Sequence, residues 1–160
     1  MVALPQEIKE EAVSRFARRL QRVPVVIGEL YITPPGGSYG NGATVTITIR
    51  ENSYSTPVNA VQANLTYPAA QLQFQSISAG AGTSPFTTVL QSTGGSGSVQ
   101  IGVGLLGNSV TGDAVVATVT FTVIGTGTAP IQFAAGSGIA KTSDSSDICK
   151  KKTGSSYTLS

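Results

Sequence analysis

Two aspartates and one cysteine are the side chains of this sequence that could bind a metal ion or act as a nucleophile. Asp144 and Asp147 lie in KTSDSSDI, and carboxylates in such a run of turn-forming residues can bind Ca²⁺. An ordinary solvated loop explains the same pattern. Cys149 precedes three lysines, which favour a reactive thiolate, although a surface cysteine without a function is the simpler interpretation. We therefore expect no metal site and no cofactor.

The side chains that catalysis needs are too few for an enzyme. The chain has no histidine and a single cysteine, so a catalytic triad or a histidine metal site lacks its members. No pair of carboxylates lies in an apolar strand context that would tune one as a general acid. The string GVGLLG matches the dinucleotide pattern GxGxxG, but that motif needs a following helix, and NSVTGDAVV predicts a turn and a strand. The expected protein is not an enzyme.

Composition and charge exclude further classes of function. The 160 residues, 40% of them hydrophobic, suffice for one domain with a substantial core. Half of the ten cations lie before residue 29, and three more form the run KKK at 150–152, which predicts a solvated loop. The remaining body lacks the clustered cations and stacking aromatics of a nucleic-acid-binding protein. No apolar run approaches the roughly 20 residues of a membrane span.

Residues 1–28 predict an amphipathic helix followed by an extended linker. In PQEIKEEAVSRFARRLQR apolar residues recur at helical spacing, glutamates lead and arginines trail, as the helix dipole prefers. The apolar stripe is narrow, so the helix should dock on the body of the protein, on a neighbouring subunit or on a membrane surface. The residues of this assembly helix that are expected to make the docking contacts are Ile8, Val13, Phe16 and Leu20.

Residues 29–160 predict a single all-β domain. Strand segments about ten residues apart are separated by Gly-rich turns, which is typical of a two-sheet sandwich. In NAVQANLTYPAAQLQF, Val61 and Leu65 alternate with Gln62 and Asn64, so this strand has one buried face and one solvated face. The expected core comprises Val45, Ile47, Val61, Leu65, Leu72, Phe74, Val99, Ile101, Val103, Val119, Phe121 and Phe133.

Five segments of this domain carry a resemblance to a known family. They are LYITPPGGSYGNGATVTITI, PVNAVQANLTYPAAQLQFQSIS, TGDAVVATVTFTV, PIQFAAGSGIAKTSD and TGSSYTL. Their order and spacing over about residues 30–160 resemble those of a cohesin domain, most closely the small cohesin-like modules of bacterial cell-surface proteins. The resemblance implies a nine-stranded sandwich of jelly-roll topology. It also implies a non-catalytic receptor for dockerin modules.

The same resemblance implies where a partner would bind. In cohesins the dockerin lies across one sheet face, whose strands correspond here to residues 59–67, 86–91, 98–104 and 114–123. Carried over position by position, the partner-binding face consists of Ala60, Gln62, Asn64, Gln91, Gln100, Gly102 and Thr118. A dockerin-type protein is therefore the expected partner.

Two other functions remain open from the sequence. A structural subunit of an extracellular filament, layer or particle would use the N-terminal segment to join copies of itself. A carbohydrate-binding module is the third alternative, although the chain has no tryptophan and its five tyrosines lack a coplanar spacing for stacking on sugars. All three functions belong outside the cell or at its surface. The N-terminus nevertheless lacks the apolar core of a signal peptide.

Overall fold

The computed structural model describes residues 28–160, and this part of the chain is built of strands without a helix. The predicted all-β sandwich of two sheets is confirmed. The predicted N-terminal helix, with Ile8, Val13, Phe16 and Leu20, lies outside the described residues. The strands are β1 (Gly28–Thr33), β2 (Gly36–Tyr39), β3 (Thr44–Asn52), β4 (Val58–Thr66), β5 (Leu72–Ala79), β6 (Thr88–Gly95), β7 (Ser98–Gly104), β8 (Asp113–Val123), β9 (Gly127–Phe133), β10 (Gly138–Lys141), β11 (Cys149–Thr153) and β12 (Ser155–Leu159).

The strands form one sheet of five and one of seven. The five-stranded sheet has the order β11-β1-β3-β8-β5. The seven-stranded sheet has the order β2-β12-β9-β4-β7-β6, with β10 also paired to β4. Most neighbours are antiparallel, but β1 and β11 are parallel, as are β12 and β2. Strands β4, β7 and β6 are therefore adjacent and share one outer surface.

Alternating apolar residues fill the space between the sheets. Ten of the twelve predicted core residues are buried, and each large aliphatic side chain among them contributes on the order of 1.5–3 kcal/mol. Phe74 and Phe133 pack against the core but remain partly exposed. Phe74 lies on the edge strand β5, where its ring meets the ring of Phe121 edge-on at 6.3 Å. An edge position covers an aromatic ring on one side only.

The structure has three strands more than the nine expected. Strand β2, with the sequence GGSY, resembles a turn in composition, but it pairs with β12. Strand β10 has only four residues, which is too short for an alternation to be visible. Strand β11 contains the KKK run, which is therefore not a loop. Lysines are common on edge strands because their charge discourages pairing with other chains.

Candidate functional site

Six of the seven residues predicted to bind a partner lie together on the outer surface of the seven-stranded sheet. On β4 and β7, Gln62 lies opposite Gly102 and Asn64 lies opposite Gln100. On the other side of β7, Gln91 of β6 also lies opposite Gly102. We call this surface the amide face, and it comprises Ala60, Gln62, Asn64, Gln91, Gln100 and Gly102.

Thr118, the seventh predicted residue, does not belong to the amide face. It lies on β8 in the five-stranded sheet, between Thr48 of β3 and Ser78 of β5. The predicted placement of this residue is wrong, because the transfer from the cohesin resemblance assigned residues 114–123 to the same sheet as β4, whereas β8 pairs with β3 and β5. The fourth strand beside β4, β7 and β6 is instead β9, which pairs with β4 through Gln132 and Thr66.

Three glutamines and one asparagine of the amide face are joined by side-chain hydrogen bonds. Nε2 of Gln62 donates to Oδ1 of Asn64 at 2.8 Å and to Oε1 of Gln91 at 2.9 Å. Nε2 of Gln91 donates in turn to Oε1 of Gln100 at 3.0 Å. The network spans β4, β7 and β6, and it holds these side chains in one arrangement before any partner binds.

Gly102 provides the space that this network needs. An added Cβ atom at this position would lie 2.7 Å from Oε1 of Gln62 and 3.5 Å from Cβ of Gln91. Real Cβ atoms do not approach other heavy atoms as closely as the first of these distances. Strand β7 lies between β4 and β6. A side chain at position 102 would therefore displace Gln62 from its bond to Gln91.

The loop that follows β9 fixes Asn64 from the other side. The backbone N–H of Asn64 donates to Oγ of Ser137 at 2.9 Å, and its side-chain Nδ2 donates to the carbonyl oxygen of Ala135 at 3.1 Å. The N–H of Ala134 donates to the carbonyl oxygen of Asn64 at 2.7 Å. Ser137 is only 3% exposed. Both the backbone and the side chain of Asn64 are thus held by hydrogen bonds, of which the one to Ser137 is partly buried and the one to Ala135 is exposed.

An apolar hollow of about 270 Å³ adjoins the amide face. The sequence did not predict it, because a regular alternation with Gln91 outward would turn Leu90 inward. A β-bulge between Val89 and Gln91 breaks the alternation, and Leu90 is 70% exposed. We call this feature the Leu90 hollow, and its lining includes Ala60, Gln62, Leu90, Ile139, Ala140 and Asp147.

The aspartates that suggested a Ca²⁺ site serve the loop in which they lie. Oδ1 of Asp147 accepts from the backbone N–H groups of Ile139 at 3.0 Å and Cys149 at 2.8 Å. Oδ1 of Asp144 accepts from the backbone N–H and hydroxyl of Ser146, and these bonds lower the pKa of Asp144. Within residues 28–160 no three acidic, histidine or cysteine side chains cluster. The loop's own hydrogen bonds account for the pattern.

Cys149 is buried, not on the surface as expected. Burial raises the pKa of its thiol, and the charge of Lys152 opposes this rise only in part. Sγ lies 3.4 Å from the carbonyl oxygen of Lys151. These surroundings disfavour the reactive thiolate that the neighbouring lysines suggested.

The tyrosine rings are engaged elsewhere and do not form a sugar-stacking surface. Tyr157 and Tyr67 are buried in the core. Tyr39 meets the ring of Tyr157 edge-on, at an interplanar angle of 69°. Tyr31 and Tyr54 each donate a hydrogen bond to a carboxylate. None of these contacts arranges two rings in one plane.

Comparison with known families and structures decides which class of domain this fold represents. A family model described as cohesin domain matches residues 32–156. The chain belongs to the cohesin domain family. Cohesin domains are non-catalytic protein-binding modules. A search of curated proteins found no match to the chain. Among residues 28–160 there is no helix with the length and hydropathy needed to cross a membrane.

Cohesins of known structure share this fold at low sequence identity. CaCohA2 of Clostridium acetobutylicum, solved in complex with CaDoc0917, has a TM-score of 0.71 and 16% identity, over 83% of this cohesin and 99% of its own chain. The seventh ScaB type I cohesin of Pseudobacteroides cellulosolvens has a TM-score of 0.69 and 19% identity, over 84% and 92%. A non-cellulosomal cohesin of Archaeoglobus fulgidus has a TM-score of 0.66 and 12% identity, over 84% and 91%.

Proposed function

We propose that this cohesin domain is a recognition module at the cell surface that binds a dockerin-type protein across the amide face. The observation that carries the proposal is the hydrogen-bonded network of Gln62, Asn64, Gln91 and Gln100 over three strands. Side chains that are already ordered lose little conformational entropy on binding, so more of the interaction energy is kept. Solved complexes of similar cohesins with dockerins support the class of partner.

The amide face keeps hydrogen-bonding groups for a partner. A glutamine amide has two N–H donors and an oxygen that can accept two bonds. The network engages only Oε1 of Gln100, so the N–H groups of Gln100 remain able to donate. Oε1 of Gln62 likewise remains able to accept, because the network uses the donors of this residue. These groups suit the polar side chains and backbone ends of a helical partner.

The six residues of the amide face carry no charge. Recognition by neutral amides depends on hydrogen bonds and shape, since charged groups mainly steer the encounter and raise the association rate. We therefore expect an association rate in the range of about 10⁵–10⁶ M⁻¹s⁻¹ that is typical of partners without electrostatic steering. Added salt should change this rate little.

Calorimetric titration of the full chain with a panel of calcium-loaded dockerin modules tests the proposal. The panel would hold the dockerins of similar cohesins and any dockerins encoded in the same genome. Gln100→Arg places a long charged side chain on the amide face and should weaken binding at least about tenfold, or about 1.4 kcal/mol. Thr118→Arg is the matched control, because Thr118 lies in the opposite sheet and its replacement should leave affinity unchanged.

Two outcomes would overturn the proposal. One is the absence of binding to every dockerin in the panel. The other is binding that Gln100→Arg leaves intact while Thr118→Arg abolishes it, because the partner would then occupy the five-stranded sheet. Circular dichroism on both variants would establish that each retains the β-sandwich.

A further inference from the structure

The Leu90 hollow is an apolar recess beside the amide face, and the hydrogen bonds of that face do not fill it. Its volume of about 270 Å³ lies below the roughly 300–1,000 Å³ of typical small-molecule sites. A recess of this size suits one or two apolar side chains of a protein segment better than a separate ligand. Ala60, Ile139 and Ala140 contribute apolar lining, and Leu90 stands exposed at its border.

Gly28, the first residue that the structure describes, lies close to the Leu90 hollow. The backbone N–H of Gly28 donates to the carbonyl oxygen of Ile148 at 2.8 Å. The N–H of Ile148 donates in turn to the carbonyl oxygen of Ile139 at 3.0 Å, and Ile139 lines the hollow. The chain that precedes Gly28 therefore enters the domain two backbone hydrogen bonds away from the recess.

The preceding 27 residues are long enough to reach it. Residues 23–27 alone could span up to about 17 Å when extended. The segment 5–22, for which the sequence predicts an amphipathic helix, would be about 27 Å long in helical form. A short tether raises the local concentration of such a segment to the millimolar range, so a weak contact suffices for docking within one molecule.

The N-terminal segment and the loop beside the Leu90 hollow carry charges of opposite sign. The part of the segment nearest to Gly28 carries Arg18, Arg19 and Arg22. The loop at the border of the hollow carries the carboxylates of Asp144 and Asp147, of which Asp147 lines the hollow. Lys141 offsets one of these charges. The carboxylate of Asp147, the charged residue that lines the hollow, favours the arginine end of the segment.

We propose that the N-terminal segment of this chain, residues 5–22, docks its apolar stripe into the Leu90 hollow of the same molecule. Phe16 and Leu20 lie within the stripe that the sequence predicts.

A single tryptophan tests the docking, because the full chain contains none. Phe16→Trp introduces a fluorescent reporter whose emission is blue-shifted in an apolar contact and red-shifted in water. The full-length Phe16→Trp protein should show blue-shifted emission and reduced quenching by iodide. Adding Leu90→Asp should shift the emission to that of an exposed indole. Leu106→Asp is the matched control, since Leu106 is 82% exposed and lies outside the hollow.

Three results would overturn the inference. They are an exposed indole in the Phe16→Trp protein, an emission that Leu90→Asp leaves unchanged, and a blue shift that disappears on dilution from about 100 to 1 μM. The last result would indicate docking between molecules, because an intramolecular contact does not depend on protein concentration. No dockerin is present in this experiment, so its failure leaves the proposed function untouched.

Discussion

Gln62 and Gln91 are hydrogen-bonded to each other although their strands are not neighbours. Nε2 of Gln62 reaches Oε1 of Gln91 at 2.9 Å across β7, above the bare backbone of Gly102. Two amides that meet over a glycine form a bridge that needs no charge and no water. The bridge makes one surface out of three strands.

Gly102→Ala should break this bridge without unfolding the domain. The new methyl group would push away Oε1 of Gln62, the end of a flexible side chain, so the fold can adjust. Alanine is also favoured over glycine in a strand by about 0.5–1 kcal/mol. We expect the free energy of unfolding to change by less than about 1 kcal/mol, while dockerin affinity falls. Urea denaturation and calorimetric titration measure the two quantities.

Gln91→Ala provides the comparison for this variant. It removes the other end of the same bridge, so the two substitutions should be non-additive in dockerin affinity. If the double variant loses the sum of the two single effects, the residues act independently and the bridge has no role in recognition.

Ser137→Ala should destabilise the domain by about 1–3 kcal/mol, because it leaves the backbone N–H of Asn64 without its acceptor in a partly buried place. Ser156→Ala removes a hydroxyl from an exposed position on β12 and should change stability by less than about 0.5 kcal/mol. Thermal unfolding of both variants checks the difference. Equal melting temperatures would mean that Asn64 is held by its other bonds alone.

The period-two pattern predicts the orientation of β4 because successive side chains of a strand point to opposite faces. Val61 and Leu65 are buried, and Gln62 and Asn64 face outward, as the sequence indicates. The same pattern could not place Thr118, since sheet membership depends on pairing with strands distant in the sequence. Nor could it find Leu90, which a bulge turns outward.

Glu51 and strand β11 illustrate two other limits of the sequence pattern. Glu51 follows Val45, Ile47 and Ile49 at every second position of β3, so the alternation alone predicts that it is buried. Charged residues are seldom buried, however, so the residue type predicts the opposite. Strand β11 has little strand propensity, and its pairing with β1 overrides its composition.

The lysines of β11 should protect an edge of the five-stranded sheet. Lys150 and Lys152 are exposed on a strand that has one neighbour, β1. Replacing both by threonine would leave an uncharged edge that can pair with another chain. We expect faster aggregation of the folded domain at temperatures below its melting temperature, measured by light scattering. Lys141→Thr together with Lys151→Thr removes the same charge but keeps two of the three edge lysines, and this control should aggregate more slowly.

Glu51 should make the domain less stable as the pH rises. It is fully buried, and neither carboxylate oxygen has a hydrogen-bond partner among the described residues. Burial, assisted by the charge of Asp113 and opposed in part by Ser53 and Arg50, raises the pKa of Glu51 to about 8. The folded state therefore keeps a proton that the unfolded state releases near the ordinary glutamate pKa of 4.5. Stability is greatest below that pH and declines as the pH rises towards 8, by up to about 1.4 kcal/mol per pH unit.

Glu51→Gln should remove most of this decline, because the glutamine is neutral at every pH in the range. Urea denaturation between pH 5 and pH 9 gives the free energy of unfolding of the parent and of the variant as a function of pH. Over this range the parent should lose on the order of a few kcal/mol more than the variant. Glu29→Gln is the control, since Glu29 is partly exposed and lies near the amine of Lys151. Its curve should follow the parent. A parent curve that is flat between pH 5 and 8 would mean that Glu51 ionises inside the fold at little cost, which its burial without partners argues against.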